Sequence, residues 1–309
     1  MRKAKLLLAS LLSLVAWTGV MAQTAVTDVS QFSNTKVYTI ACPRGSLVLN
    51  TGQTALVSSH SSNGANVNAN AATDAESMQF CLIKVDDYYY IYSPKLKTFA
   101  GLMGQEVNFT ARRHVPFTIT TDGVDGKDGS VFRLKATFND YTYYVNNNNS
   151  GNIVLNSYST PEGGNTMTFY EVDGATVNET EVLSALRTEF LDEHKVYKIN
   201  NARVTTWTAN ADGTGLTGTK AYSAAPEASQ EFAFIKRDGK LYMYNVGAKK
   251  FVGFNGDDAI LTANKTQFTP IDYFETTNTT YPFKFYLPAK NFYFNGQGGG
   301  GFAINTWSA

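Results

Sequence analysis

The chain carries two copies of one unit. Gln79 to Gly101 reads QFCLIKVDDYYYIYSPKLKTFAG, and Glu231 to Gly253 reads EFAFIKRDGKLYMYNVGAKKFVG. The two segments align without a gap at an offset of 152 residues, from Gln79 to Glu231. Shared positions include Phe80/Phe232, Ile83/Ile235, Lys84/Lys236, Asp86/Asp238, Tyr90/Tyr242, Tyr92/Tyr244, Lys97/Lys249, Phe99/Phe251 and Gly101/Gly253. The flanks repeat too: Val37-Tyr38-Thr39-Ile40 answers to Val196-Tyr197-Lys198-Ile199, and Leu155-Asn156-Ser157-Tyr158-Ser159 to Ile304-Asn305-Thr306-Trp307-Ser308. Internal repetition is the first thing to settle in a sequence, because every later reading must fit both copies.

Each copy divides again into three lobes, opening near Lys36, Gln79 and Val131 and near Lys195, Glu231 and Tyr281. A lobe begins with a short aromatic strand such as Phe80-Cys81-Leu82-Ile83 or Phe283-Lys284-Phe285. A turn follows, as at Asp86-Asp87 or Asp238-Gly239, and Asp-Gly between apolar alternations is a hairpin signal. Further short strands follow it, such as Tyr88 to Tyr92 or Phe292 to Phe294. No lobe of this size buries an apolar face alone, so three must close around a shared core. Composition agrees: 18 Tyr and 20 Phe favour strands, and the plentiful Asn and Gly favour the turns between them.

The three-lobe pattern and the Asn-x-aromatic endings at Asn156-Ser157-Tyr158 and Asn305-Thr306-Trp307 resemble the β-trefoil of ricin-type lectin modules. The chain is particularly similar to the tandem trefoil-like modules of secreted Bacteroidetes proteins. The resemblance covers Thr35 to Val172 and Lys195 to Ala309, and it implies an all-β fold of two tandem β-trefoils. Between them, residues 173–194 change character. Val182, Leu183, Leu186, Phe190 and Leu191 recur at helical spacing, and Asn178 with Glu181 forms an N-terminal capping pattern. A short amphipathic helix over Glu179 to Glu193 is therefore expected as the linker. Thr166-Met-Thr-Phe-Tyr-Glu-Val looks like the closing strand of the first copy, and the second is expected to lack its counterpart.

The N-terminus reads as an export signal. Arg2, Lys3 and Lys5 precede the apolar run Leu6 to Val15, and Val20 and Ala22 sit at the −3 and −1 positions of a cleavage site. Residues 1–22 are thus expected to be a signal peptide and 23–34 a polar leader. The mature chain is expected outside the cytoplasm, secreted, periplasmic or at the cell surface, with no membrane span. Cleavage takes Lys plus Arg from 26 to 23 against 26 Asp plus Glu, a net charge near −3. A chain of that balance without basic runs lacks the surface that nucleic acid requires. In an oxidising compartment Cys42 and Cys81 are expected to form one disulfide; a pair of buried thiols is the alternative.

The motifs that could carry chemistry each have a plainer reading. Gly296-Gln297-Gly298-Gly299-Gly300-Gly301 matches a dinucleotide-binding glycine pattern, but a strand follows it, so it reads as a hairpin loop and no cofactor is expected. Asp122, Asp125 and Asp128 cluster as hard-cation ligands would, yet their spacing lacks a closing Glu, so a solvated turn is expected and no metal. His60, His114 and His194 stand in no triad pattern, and no carboxylate pair suggests glycoside hydrolysis, so no catalytic residue is assigned.

Ligand-binding candidates come from aromatics that the two copies do not share. Trp207 answers to a position near Val48, and Tyr88 to Lys240, so both are candidates to stack on a sugar; for Trp207 a core role stands beside this. The expected function is a secreted, non-catalytic, carbohydrate-binding module whose partners are glycans or glycoproteins. Two alternatives stand beside it: the N-terminal accessory region of a larger secreted glycoside hydrolase, and a structural or protein-binding trefoil.

Overall fold

The computed structural model describes residues 23–122, 124, 132–138, 141–188, 190–201, 206–219, 227–276, 278, 280–290, 292–296 and 302–305. Residues 1–22, expected to be an export signal, and Asp125, Asp128, the loop 297–301 and Trp307 lie outside them. The chain divides into two compact units, Met1–Thr188 and Glu189–Ala309. Both are built of antiparallel strands, with one α-helix among the described residues. No helix among those residues is long and apolar enough to cross a membrane.

The first unit contains β1 (Gln23–Ala25), β2 (Lys36–Cys42), β3 (Gly45–Leu49), β4 (Leu56–Ser58), β5 (His60–Ser61), β6 (Asn66–Val67), β7 (Cys81–Val85) and β8 (Tyr88–Ser93). It continues with β9 (Thr98–Phe99), β10 (Gly101–Met103), β11 (Glu106–Asn108), β12 (Thr118–Thr120), β13 (Arg133–Phe138), β14 (Tyr141–Asn147), β15 (Ile153–Asn156) and β16 (Thr168–Thr176). Strands β1, β16, β2, β3 and β4 form one sheet in that order, and β7, β8 and β9 form another. Strands β12 to β15 pair in sequence, and β15 then meets β11. Single bridges join the groups at Tyr38–Phe80, Ala55–Asn108, Tyr89–Phe117 and Phe132–Met167. Alternation explains the core: Leu134, Ala136, Val145, Ile153 and Leu155 point one way and meet Tyr38, Ile40, Phe80, Phe117 and Phe169 in one buried cluster. Each such fully buried ring or branched chain contributes roughly 1.5–3 kcal/mol.

The second unit contains β17 (Val196–Tyr197), β18 (Thr206–Ala209), β19 (Leu216–Thr219), β20 (Phe232–Arg237), β21 (Lys240–Asn245), β22 (Lys250–Asn255), β23 (Asp258–Thr262), β24 (Asp272–Glu275), β25 (Phe283–Leu287), β26 (Phe292–Gly296) and β27 (Phe302–Asn305). Strands β17, β20, β21, β22, β23, β27, β26, β25 and β24 pair in that order, and β18 and β19 form a separate hairpin. A bridge between Leu241 and Ile271 brings the chain just before β24 beside β21. The core gathers Trp207, Phe232, Phe234, Met243, Val252, Leu261, Tyr273 and Phe302.

The repeated residues hold repeated backbone. Asp86 and Asp238 turn their hairpins at φ 54° and 51°, and Lys97 and Lys249 both lie at φ 53°. Such values are uncommon for residues with a side chain, so their recurrence marks one turn geometry used twice. Gly101 and Gly253 are needed for space. A Cβ there would sit 2.1 Å from the Arg113 carbonyl oxygen and 2.3 Å from that of Gln267.

Two expectations are corrected. The helix α1 spans only Glu179–Ser184, capped as expected by Asn178, whose Oδ1 accepts the Glu181 N–H at 3.2 Å. It stops because His114 draws the backbone away: Nδ1 accepts the Arg187 N–H at 2.8 Å and the Arg187 carbonyl accepts the His114 N–H at 2.8 Å. The Cys42–Cys81 disulfide is not formed; both are buried free thiols. The Tyr38–Phe80 bridge is antiparallel, which puts Cys81 alongside Val37 and leaves Cys42 five residues further along β2. Five residues of strand are about 17 Å, well beyond the roughly 7 Å of Cα separation that a disulfide spans.

Candidate functional site

The face of β12 to β15 turned away from the core carries the densest set of polar and aromatic groups in the first unit. Register sets it out as rows. Thr118, Lys135, Tyr144 and Asn156 are successive cross-strand partners. Two residues along, Thr120 faces Arg133 and Asn146 faces Val154. Side chains alternate across a strand, so these residues share the face opposite to Leu134, Val145 and Leu155. The Arg133 guanidinium lies 3.7 Å above the centre of the Tyr144 ring, a cation–π arrangement. Arg133 and Asn146 are each 2% exposed. Arg133 Nε and Nη2 and Asn146 Nδ2 are buried donors with no hydrogen-bond partner among the described residues. Burial pulls the Arg133 pKa down, and Tyr144 and the exposed Asp122 act the other way.

The loop after β15 edges this face. Asn156 Oδ1 accepts the Tyr158 N–H at 3.1 Å. Asn165 Nδ2 donates to the carbonyls of Tyr158 at 3.2 Å and Thr160 at 3.0 Å. Its Oδ1 accepts the Glu162 N–H at 3.0 Å, and the Glu162 carboxylate pairs with Arg44 at 3.1 Å. The loop so fixed leaves the Tyr158 ring 49% exposed.

The second unit repeats the layout with different chemistry. Asp272, Tyr286, Tyr293 and Asn305 are successive partners across β24 to β27, and Phe274 faces Lys284. Tyr144 and Tyr293 thus hold the same place, as do Asn146 and Asn295, Arg133 and Lys284, and Lys135 and Tyr286. Phe274, Tyr286 and Tyr293 form a ring cluster with centroids 5.8, 6.0 and 6.3 Å apart. The Tyr286 hydroxyl donates to Asp272 Oδ2 at 3.0 Å.

The residues expected to bind ligand fare differently. Trp207 is corrected to a core residue: it is 3% exposed, 4.7 Å from the Phe302 ring and stacked on Phe294 at 5.5 Å. An indole enclosed in this way offers no face to a sugar. Tyr88 opens β8 at a hairpin mouth and is 48% exposed, next to Tyr89, which bridges Phe117 just before β12. The histidines are scattered. His60 Nδ1 lies 2.9 Å from Ser59 Oγ, and His194 N–H meets Asp192. Burial pushes the His114 pKa down to about 4. No group of three or more His, Cys, Asp or Glu that could hold a metal occurs among the described residues.

No protein-family model matches the chain, and no curated protein matches it in sequence. Among solved structures, it is similar to a mosquitocidal holotoxin at 8% identity and TM-score 0.34, covering 87% of this chain and 32% of that one. It is similar to Cry35Ab1 at 11% identity and TM-score 0.33, covering 79% and 62%. A third likeness is to a GlcNAcα1-4Gal-releasing endo-β-galactosidase from Clostridium perfringens, at 9% identity and TM-score 0.36, covering 89% and 69%. The chain thus spans about a third of the holotoxin's length and under two thirds of the Cry35Ab1 chain.

Proposed function

We propose that this is an exported, non-catalytic protein of two tandem β-trefoils, similar to ricin-type lectin modules, and that it binds carbohydrate on the outer face of the third hairpin of each unit. The observation that carries the reading is the recurrence of Tyr144 with Asn146 and of Tyr293 with Asn295 on that face. A sugar ring has an apolar face that stacks on an aromatic ring, and hydroxyls around its rim that take hydrogen bonds from amides and charged groups. Tyr144 and Tyr293 supply the first requirement, and Asn146, Asn156, Lys135, Asn295 and Asp272 the second. The secreted location follows from the signal-like N-terminus, and glycans outside the cell are the partners it implies.

Binding is tested with the mature protein on a glycan array, followed by calorimetry with the best ligand. Tyr144→Ala and Tyr293→Ala should each weaken binding at their own face roughly 2- to 10-fold, the worth of one aromatic contact. The double variant, with an unchanged melting temperature, should be weakened roughly 2- to 10-fold at both faces. Full retention of binding in the double variant would remove both faces from consideration, and an empty array would remove carbohydrate altogether.

A further inference from the structure

Arg133 presents a bidentate edge that no described residue fills. The Tyr144 ring covers one flat side of the guanidinium. The two nitrogens left without partners, Nε and Nη2, lie on the same edge of the guanidinium, the edge whose parallel N–H groups match the two oxygens of a carboxylate. Asn146 Nδ2 is a third unpaired donor, and continuing the β13–β14 register by two residues places it beside Arg133. Three buried donors with no acceptor among the described residues are costly, and they call for an acceptor with negative charge. The other described ionic groups at this face do not fill that edge. Glu162 is engaged by Arg44, and Asp122 acts on Arg133 through its charge without reaching Nε or Nη2.

We infer that the first unit recognises an acidic sugar, with Arg133 gripping its carboxylate side-on, Asn146 donating to the same group and Tyr144 stacking beside it. The inference rests on the carbohydrate-binding reading above and narrows it to glycans bearing a uronic or sialic acid. Lys135, two residues along β13 from Arg133, is partly exposed, so its side chain is the one that gives way to admit the ligand while Tyr144 stays on the guanidinium. The second unit has Lys284 in place of Arg133, and an ammonium group cannot form the planar bidentate pair. The acidic preference therefore belongs to the first unit alone.

The test is calorimetry of the full mature chain against glucuronate, N-acetylneuraminate, their methyl esters, glucose and an acidic glutamate peptide. The free acids should bind roughly 10- to 100-fold more tightly than their esters, the worth of hydrogen bonds to a charged group. Arg133→Lys should erase that difference while leaving ester binding in place. Equal affinity for acids and esters overturns the inference and leaves the carbohydrate reading standing. Binding of the acidic peptide with no sugar bound overturns both. If Arg133→Lys fails to fold, the unaltered protein decides the matter by the NMR signal of arginine Nε–H groups. Saturating glucuronate should shift a solvent-protected one, and no shift overturns the inference.

Discussion

Replacing Trp207 separates a core indole from a ligand platform. Its side chain is 3% exposed and ringed by Phe232, Phe285, Phe294 and Phe302 at centroid distances of 6.5, 5.9, 5.5 and 4.7 Å. Burying about 200 Å² of aromatic surface at about 25 cal/mol per Å² corresponds to about 5 kcal/mol, and aromatic-to-alanine changes in cores cost about 3–5 kcal/mol. Trp207→Ala should therefore lower the unfolding free energy of the second unit by about 4 kcal/mol. Trp207→Phe behaves differently. It removes part of that surface, about 1 kcal/mol, but it also removes an indole N–H that is buried without a partner among the described residues. An unsatisfied buried donor costs about 1–3 kcal/mol, so the phenylalanine variant should stay within about 1 kcal/mol of the parent. Urea unfolding followed by circular dichroism gives both values. A loss below 1 kcal/mol for the alanine variant, or equal losses for the two, would refute the reasoning.

Gly101→Ala and Gly253→Ala should each cost about 2 kcal/mol or more, because the new Cβ meets a carbonyl oxygen at 2.1 and 2.3 Å. Gly104→Ala has no atom within 4 Å and meets only the strain of φ 64°, about 1 kcal/mol; thermal melts of the three variants give the comparison. Burial, and secondarily the Arg187 charge, lowers the His114 pKa to about 4, and its neutral Nδ1 accepts the Arg187 N–H. The unfolded chain therefore takes up this proton before the folded one does. Stability from His114 is complete above pH 6.5 and is lost as the pH falls toward 4, so melting temperatures measured from pH 7 to 4 should fall less steeply in His114→Asn. Burial raises the Cys42 thiol pKa and pushes Cys81 up to about 12. A thiol reagent at neutral pH should label neither cysteine in the folded protein and both in the unfolded, unreduced protein; one unreactive pair after unfolding would restore the disulfide.

Much of the fold is readable in the sequence because strand physics leaves local marks. The hairpins at Asp86 and Asp238, the close-packed Gly101 and Gly253, and the buried Phe80 and Phe232 all stand at matched positions. Matching between copies is a poor guide to burial. Trp207 stands apart in the sequence because a Val answers to it, yet Val48 is buried as well. The position is core in both units, and neighbouring side chains absorb the difference in volume. The cysteines follow a rule about compartments that cannot see register, and register puts them a whole strand apart. The helix is overextended because periodicity at Leu186 carries no sign of a histidine from another part of the chain taking over its hydrogen bonds.

The candidate face stayed hidden for the converse reason. Shared aromatics read economically as core, but a strand with one face packed repeats on both faces. Val145 and Phe294 point into their cores, and the residues just before them, Tyr144 and Tyr293, point away. A matched tyrosine on the outer face does not pack the core, since the core is filled from the other side. What differs between the copies then gains meaning. Around the same tyrosine, the first unit places Arg133 and Lys135, and the second places Lys284, Tyr286, Phe274 and Asp272. The proposed faces are thus two versions of one design, one cationic and one aromatic with a carboxylate at its edge. In these hairpins the outer rows differ in charge while the inner rows stay apolar, so the proposed faces can diverge without loss of the core.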